Sequence, residues 1–255
     1  MPELMETHEY DKMYAVEEQL WWYQSLRQIL LSQLRKYYPT ARFILDAGCG
    51  TGMNSLFLRS HGYQLTSFDL SAQAVTYSKK RGLKAEVANI TKLPTHANSQ
   101  DVVLLMDVMG SLSDSEQKAA LKEFHRVLKD GGLLIIHAAA LQWLYSTHDV
   151  ASHIRKRFSS HELSELFDQK IWTVERCSYR ISLLFPLIAS IKVLKKLTYQ
   201  RTRVPSGDLD LPHPLVNAIL RAIQAVEDFF FQWIDFPIGT SVFLIARKKT
   251  LKESE

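Results

Sequence analysis

Residues 43 to 52 read Phe43-Ile-Leu-Asp-Ala-Gly-Cys-Gly-Thr-Gly52, a short apolar run that leads into three alternate glycines. The uninterrupted run Phe43 to Leu45 predicts a strand buried on both faces, as in a parallel sheet. The three glycines that follow form a turn without Cβ atoms, so a ligand can approach the backbone closely. Met53 to Ser60 is predicted to be a helix whose first N–H groups face that turn and attract polar or anionic groups. The stretch therefore predicts a nucleotide-type pocket between a strand and a helix.

The spacing of the glycines separates two kinds of nucleotide site. A dinucleotide-binding turn has the pattern G-x-G-x-x-G, and counting from Gly48 places Met53 where the third glycine belongs. The pattern here is instead Asp46-x-Gly48-x-Gly50-x-Gly52, which resembles the first motif of class I S-adenosylmethionine-dependent methyltransferases. An NAD(P)-dependent oxidoreductase is disfavoured by Met53 but stays an alternative.

Two later segments extend this resemblance along the chain. Tyr63 to Leu70 is predicted to be a second strand that ends at Asp69, where a carboxylate can accept hydrogen bonds from both ribose hydroxyls of a nucleoside. Arg126 to Gly132, which reads Arg-Val-Leu-Lys-Asp-Gly-Gly, looks like a segment of the same family that has proline in place of Asp130. The resemblance thus reaches from the first predicted strand to the fifth.

The resemblance implies that S-adenosyl-L-methionine is the cofactor and S-adenosyl-L-homocysteine the product. The glycine turn would approach the methionine portion, Asp69 the ribose, Asn89 and Ile90 the adenine, and Met106 and Asp107 the region near the sulfur. The residues expected to contact the cofactor are Tyr14, Trp22, Arg27, Asp46, Gly48, Cys49, Gly50, Asn54, Asp69, Leu70, Asn89, Ile90, Met106, Asp107 and Val108.

The chain departs from the family pattern at two places. Members often carry an acid where Asn89 stands, although an asparagine side-chain oxygen can also accept a hydrogen bond from the adenine amino group. Members commonly have Glu-His where this chain has Gly110-Ser111, which argues against a catalytic role for that loop. These departures keep a second alternative open, a scaffold subunit that binds the cofactor without catalysis.

A loop after the fifth predicted strand carries the candidates for proton transfer. His148, Asp149 and His153 follow the strand Leu133 to His137, so they would lie beside the cofactor. An aspartate can hold a neighbouring histidine in one tautomer, and the histidine can then take a proton near neutral pH. The alternative is that these groups only order the loop, because alignment of the acceptor contributes much of the rate. The basic run 155 to 157 is expected to face solvent, and binding of an acidic acceptor is its alternative.

The predicted fold class is α/β, a seven-stranded Rossmann-like methyltransferase sheet whose last strand is antiparallel. The strand count comes from the pattern, whereas the strand order is what the resemblance implies. Residues 1–40 are expected to form an N-terminal helical cap. Residues 41–181 and 239–250 form the core, and residues 182–238 a helical lid between strands six and seven. An insertion of that length is usually functional.

The lid region has three parts in the sequence. The apolar run Leu183 to Leu197 contains Pro186, which argues against an uninterrupted helix, and Leu183 to Ile191 is too short to cross a bilayer. A polar loop from Gln200 to Pro214 follows. Leu215 to Trp233 then shows apolar residues at helical spacing, so we expect a helix that helps to wall an acceptor pocket with an apolar component.

Composition limits the range of functions further. The chain has 255 residues and a formal net charge of +4, with basic residues scattered along it, so nucleic acid is disfavoured as a partner. Its two cysteines give no disulfide framework and no metal-ligand spacing. The N-terminus lacks the pattern of a signal peptide, which favours a cytoplasmic protein. Peripheral membrane contact through Lys192 to Lys196 stays open, and the oligomeric state is not indicated. The predicted activity is methyl transfer to an oxygen or nitrogen of a small molecule.

Overall fold

The computed structural model describes residues 5–198 and 209–250 of the chain. The helices are α1 (Thr7–Val16), α2 (Trp21–Tyr37), α3 (Met53–Ser60), α4 (Ala72–Lys80), α5 (Asp114–Val127), α6 (Thr147–Ala151), α7 (Ser160–Ser164), α8 (Phe185–Thr198) and α9 (Pro214–Phe230). The strands are β1 (Phe43–Ala47), β2 (Gln64–Asp69), β3 (Ala85–Val87), β4 (Gln100–Met106), β5 (Leu128–Ala139), β6 (Trp172–Arg180) and β7 (Ser241–Lys248).

The seven strands form one sheet in the order β3-β2-β1-β4-β5-β7-β6. Strands β1 to β5 pair in parallel, and β7 runs antiparallel between β5 and β6. The predicted fold class is therefore confirmed. A dinucleotide-binding sheet has the order 3-2-1-4-5-6 without such an inserted antiparallel strand, so the topology also departs from the oxidoreductase alternative.

Apolar side chains cover both faces of the sheet, so the central strands have no face exposed to solvent. Every residue of β4 is buried. On one face Leu30 and Leu34 of α2 pack with Ile44, and on the other face Phe124 of α5 packs with Leu45. This two-sided burial explains why the strands read as continuous apolar runs, and it places the carboxyl ends of the parallel strands at a common edge.

The sequence predicts a helix from Ser113 or Asp114 to Lys129 and a third strand from Leu83 to Ile90, and the structure changes both boundaries. The helix, α5, ends at Val127 because Leu128 joins the sheet by pairing with Gln100. The third strand comprises only Ala85–Val87. Neither change alters the order of elements.

The region between β6 and β7 contains two helices, and the expected break at Pro186 is absent. Helix α8 begins at Phe185, so Pro186 lies in its first turn, where a missing N–H costs no hydrogen bond. Most of the predicted polar loop from Gln200 lies outside the described residues, since 199–208 are not among them. Across 5–198 and 209–250, no helix has both the length and the apolar character that crossing a bilayer requires.

Candidate functional site

The glycine turn after β1 has a backbone that other residues cannot adopt without strain. Gly48, Gly50 and Gly52 have φ angles of +86°, +53° and +88°. A Cβ on Gly48 would lie 2.4 Å from Cγ2 of Val108, and one on Gly52 would lie 2.6 Å from the Leu83 side chain. These three positions therefore favour glycine, and the absence of Cβ atoms there leaves the backbone open to close approach.

Asp69 at the end of β2 is hydrogen-bonded to this turn. Its Oδ2 accepts a hydrogen bond from the Gly50 N–H at 2.8 Å, and its Oδ1 accepts one from the Ser71 N–H at 2.8 Å. The residue is only 8% exposed, and burial raises the pKa of its carboxyl group. Each carboxylate oxygen has a second lone pair, so a bound molecule can still donate to it.

A cavity of about 590 Å³ opens above the turn at the carboxyl edge of the sheet. Helices α1 and α2 contribute Met13, Glu17, Trp22 and Tyr23 to its walls. Glu17 secures α1 over the turn, because it accepts hydrogen bonds from the Thr51 hydroxyl and, at 2.8 Å, from Arg81. Burial raises the pKa of Glu17, although these donors lower it. The N-terminal helices thus form one side of the cavity.

Asp107 and His137 form a polar pair where β4 and β5 end. Asp107 has a φ of +59°, and its Oδ1 lies 2.9 Å from Nδ1 of the fully buried His137. The pair forms because Met106 is in register with His137 in the sheet. Asp107 lines the cavity, and Nε2 of His137 has no hydrogen-bond partner among the described residues. The ring of Trp22 contacts His137 edge-on at 5.7 Å between centroids.

The loop after β5 is held against the cavity by a buried ion pair. Both oxygens of the fully buried Asp149 accept hydrogen bonds from Arg157, at 2.8 and 3.0 Å. The carboxylate also accepts from the Ser146 backbone at 2.7 Å, which caps α6. Gly110 accepts from the Arg155 N–H at 2.8 Å, and a Cβ on Gly110 would lie 2.6 Å from the Lys156 carbonyl. Close packing against Lys156 therefore explains why glycine stands at position 110, where the sequence departs from the family pattern.

Comparison with known proteins adds an independent finding. Residues 45–136 match the family model described as a methyltransferase domain. This part of the chain is therefore similar to methyltransferase domains. A malonyl-[acyl-carrier protein] O-methyltransferase from Hamiltonella defensa is 31% identical over 132 residues, which are 49% of this chain and 50% of that protein.

Two further matches cover different shares of the chain. A probable S-adenosylmethionine-dependent methyltransferase from Mycobacterium tuberculosis is 35% identical over 38% of this chain and 35% of its own length. The crystal structure of an S-adenosylmethionine-dependent methyltransferase from Thermotoga maritima covers 95% of this chain and 96% of that one at 18% identity, with a TM-score of 0.57. The chain thus spans half or less of these curated relatives, while the fold as a whole matches a solved methyltransferase.

Most residues expected to contact the cofactor line the cavity described above. They are Trp22, Gly48, Cys49, Gly50, Asn54, Asp69, Leu70, Asn89, Ile90, Met106, Asp107 and Val108. Asn89 differs in detail, because its Oδ1 accepts hydrogen bonds from the Thr91 N–H and hydroxyl at 2.9 and 2.8 Å. Two local donors already occupy the oxygen that the sequence assigned to the adenine amino group.

Tyr14, Arg27 and Asp46 do not line this cavity, and each has a structural contact instead. Tyr14 stacks on Tyr77 at 4.4 Å between ring centroids, which fixes α1 on α4. Arg27 is buried and donates to the backbone carbonyl of Glu17 at 2.9 Å. Asp46 lies behind the glycine turn and accepts from the Ser55 hydroxyl at 2.6 Å.

Asp46 leads to a prediction about pH and stability. Burial raises its pKa from 3.8 to about 6, and its Oδ1 has no hydrogen-bond partner among the described residues. The folded chain binds this proton more tightly than the unfolded chain, so stability falls as pH rises through this range. Asp46 alone should account for a loss of about 3 kcal/mol, at roughly 1.4 kcal/mol per pKa unit.

Urea unfolding of the wild type and of Asp46→Asn from pH about 4 to about 7 measures this loss. Glu17 and Asp69 also have raised pKa values and change stability in the same direction, so the difference between the two proteins isolates Asp46. We expect the free energy of unfolding of Asp46→Asn to increase relative to that of the wild type as pH rises. Parallel curves would mean that Asp46 is not the group responsible.

The three residues predicted for proton transfer lie in different environments. His148 lines the cavity, whereas His153 is outside the lining and lies 3.5 Å from a carboxylate oxygen of Glu6. Asp149 bonds with Arg157 and caps α6, so its carboxylate oxygens serve the loop. The expectation that residues 155 to 157 all face solvent is wrong at Arg157, which is buried.

Glu17 and Tyr23 line the cavity and His137 bonds to the lining residue Asp107, and these three were not among the residues predicted from sequence. Glu17 follows the end of α1 and Tyr23 lies on α2, where spacing does not tell which side faces the cavity. Burial raises the pKa of Tyr23, and the nearby charges of Glu17 and Asp107 add to that effect. His137 could have been found from sequence, because it ends the predicted strand Leu133 to His137 and the preceding strand leads to Asp107.

Proposed function

We propose that this chain transfers a methyl group from S-adenosyl-L-methionine to an oxygen or nitrogen of a small-molecule acceptor with an apolar component. One observation carries the proposal: the glycine turn, the anchored Asp69 carboxylate and His148 of the segment after β5 all line the same cavity. A nucleoside and an acceptor can therefore meet in one cavity.

The residues present fit the proposed cofactor. A Cβ would obstruct the turn at Gly48, and the Asp69 carboxylate faces the cavity with lone pairs left for ribose hydroxyls. Trp22 and Met106 add apolar surface, and Asp107 a negative charge, for the part that carries the sulfur. When bound, S-adenosylmethionine supplies a methyl group already activated by a positively charged sulfur.

The acceptor is positioned by the walls that the nucleoside leaves free. Leu112, Ile154, Ile188 and Leu220 contribute apolar side chains to the lining of the cavity. They provide apolar contact that excludes water and aligns the acceptor, which removes much of the entropic cost of transfer. The O-methyltransferase relative acts on a malonyl group of an acyl-carrier protein, and this chain's apolar walls support an acceptor with a hydrocarbon part.

Loss of His148 tests how far the chain contributes to proton transfer. We expect His148→Ala to lower turnover by about 10- to 100-fold, because a positioned base contributes to removal of the acceptor proton. Affinity for S-adenosylhomocysteine should stay within about twofold, since Asp69 and the turn are unchanged. His161→Ala is the matched control, because that side chain is 79% exposed. Equal losses in turnover and affinity would assign His148 to ordering the loop.

Isothermal titration with S-adenosylhomocysteine tests the proposed cofactor directly. We expect saturable binding at one site per chain and no binding of nicotinamide dinucleotides. A folded protein that binds the dinucleotide instead would overturn the proposal. Incubation of a metabolite pool with methyl-labelled donor then identifies the acceptor, and binding without any labelled product would favour the scaffold alternative.

A further inference from the structure

Helix α9 buries polar side chains and exposes apolar ones, the reverse of an ordinary surface helix. Its fully buried residues include Gln224 and Glu227, whereas Leu215, Phe229 and the adjacent Trp233 are 65%, 60% and 67% exposed. Soluble helices normally bury their apolar stripe and expose their charges. The stripe that the sequence placed at helical spacing therefore faces away from the protein.

Specific polar contacts hold α9 in this orientation. Glu227 accepts hydrogen bonds from the N–H groups of Ile181 and Leu183, at 2.5 and 2.9 Å, where the chain leaves β6. Asp228 accepts from Ser25 at 2.7 Å and forms a salt bridge with Arg180 at 2.9 Å. Rotating the helix to bury its apolar face would leave these groups without partners at a cost that hydrophobic burial has to exceed.

Helix α8 has the same exposed apolar character with a positive charge bias. Leu187 and Ile191 are 55% and 43% exposed. The sequence of α8 contains Lys195 and Lys196, in addition to Lys192 on the cavity lining, and no acidic residue. Exposed apolar side chains combined with basic residues are the signature of a segment that lies on an anionic bilayer surface.

The cavity reaches these same helices. Ile188 and Lys192 of α8 and Leu220 of α9 lie on its lining, while Phe229 and Trp233 do not. We infer that the exposed face of α8 and α9 docks on an anionic lipid surface and that the acceptor enters the cavity from it as a membrane-resident amphiphile. The part about the acceptor rests on the proposed methyl transfer, whereas the docking does not.

A second copy of the chain is the rival occupant of this face. A twofold interface pairs the same patch with itself, so it would bring two basic segments of like charge together. An anionic bilayer offers the opposite charge and can accommodate the long apolar side chains. Charge complementarity therefore favours the lipid surface.

Vesicle co-sedimentation of the full chain tests the docking. The probes are phosphatidylcholine vesicles with and without phosphatidylglycerol, and the variant is Phe229→Glu/Trp233→Glu. Val87→Glu is the control, because Val87 is 54% exposed on the edge strand β3. We expect binding to the anionic vesicles that is at least about tenfold weaker in the double variant and unchanged in the control.

Titration with S-adenosylhomocysteine and light scattering on the same proteins complete the experiment. The inference would be overturned if the wild-type protein does not bind anionic vesicles. It would also be overturned if the double variant binds them as tightly as the wild type. A wild-type dimer that the double variant dissociates would do so as well. Failure of S-adenosylhomocysteine binding with vesicle binding intact would count against the proposed methyl transfer alone.

Discussion

Replacing Asp69 by alanine is expected to weaken S-adenosylhomocysteine binding by at least about 100-fold. Two charge-assisted hydrogen bonds to ribose hydroxyls contribute about 1.5–3 kcal/mol each, and both would be lost. The variant also loses the contacts with the N–H groups of Gly50 and Ser71, both at 2.8 Å, that fasten the turn to the end of β2. Isothermal titration of variant and wild type gives the ratio of dissociation constants.

Two further variants test whether the loss of affinity is specific to the carboxylate of Asp69. Asp69→Asn keeps one acceptor oxygen and should recover part of the affinity, and Asp114→Ala removes an exposed carboxylate at the start of α5. The asparagine variant should lie between alanine and wild type, and Asp114→Ala should bind as the wild type does. An affinity within threefold of wild type for a folded Asp69→Ala protein would contradict the assigned ribose contact.

Arg157→Met is expected to lower the free energy of unfolding by about 3–5 kcal/mol, because it leaves the carboxylate of Asp149 buried without its cationic partner. Asp149 is 0% exposed and, within the described part of the chain, would retain the hydrogen bonds from Ser146 at 2.7 and 3.1 Å. The guanidinium also donates to the Ala140 carbonyl at 3.0 Å, where β5 ends. Urea denaturation with a linear extrapolation measures the loss.

Arg155→Met is the matched control, because Arg155 lies in the same loop and is exposed. Its effect should stay within about 0.5 kcal/mol. Asp149→Asn in the Arg157→Met background removes the unpaired charge and should recover part of the stability. A loss below about 1 kcal/mol for Arg157→Met would mean that solvent screens this pair as it screens surface pairs. Asp149 would then be available for other roles.

The strands could be predicted because each one depends on its own residues and on burial. The apolar run from Phe43 that predicts a strand forms β1, and the near-continuous apolar run from Asp101 to Val108 contains β4, in which every residue is buried. Ser71 at the start of α4 caps the helix through its side chain, as serine just before a helix commonly does. Helix α3 begins at Met53 and ends at Ser60, which are the predicted limits.

The site could be predicted only in part, because half of it depends on contacts across the fold. Asp69 follows directly from its place at the end of a strand next to the glycine turn. The contact between Asp107 and His137 depends on the register of β4 with β5, which places Met106 opposite His137. Tyr14 and Trp22 have similar aromatic character in sequence, yet only Trp22 lines the cavity.

The sequence by itself determined the α/β sheet, the glycine turn and the acid beside it, because local periodicity and glycine's missing Cβ act over a few neighbouring residues. Only the tertiary structure decided that Arg157 is buried against Asp149 and that α9 presents its apolar stripe outward. Helical spacing shows that a stripe exists but not which way it turns. That orientation depends on distant groups, since the N–H groups of Ile181 and Leu183 bind Glu227 and hold the polar side inward.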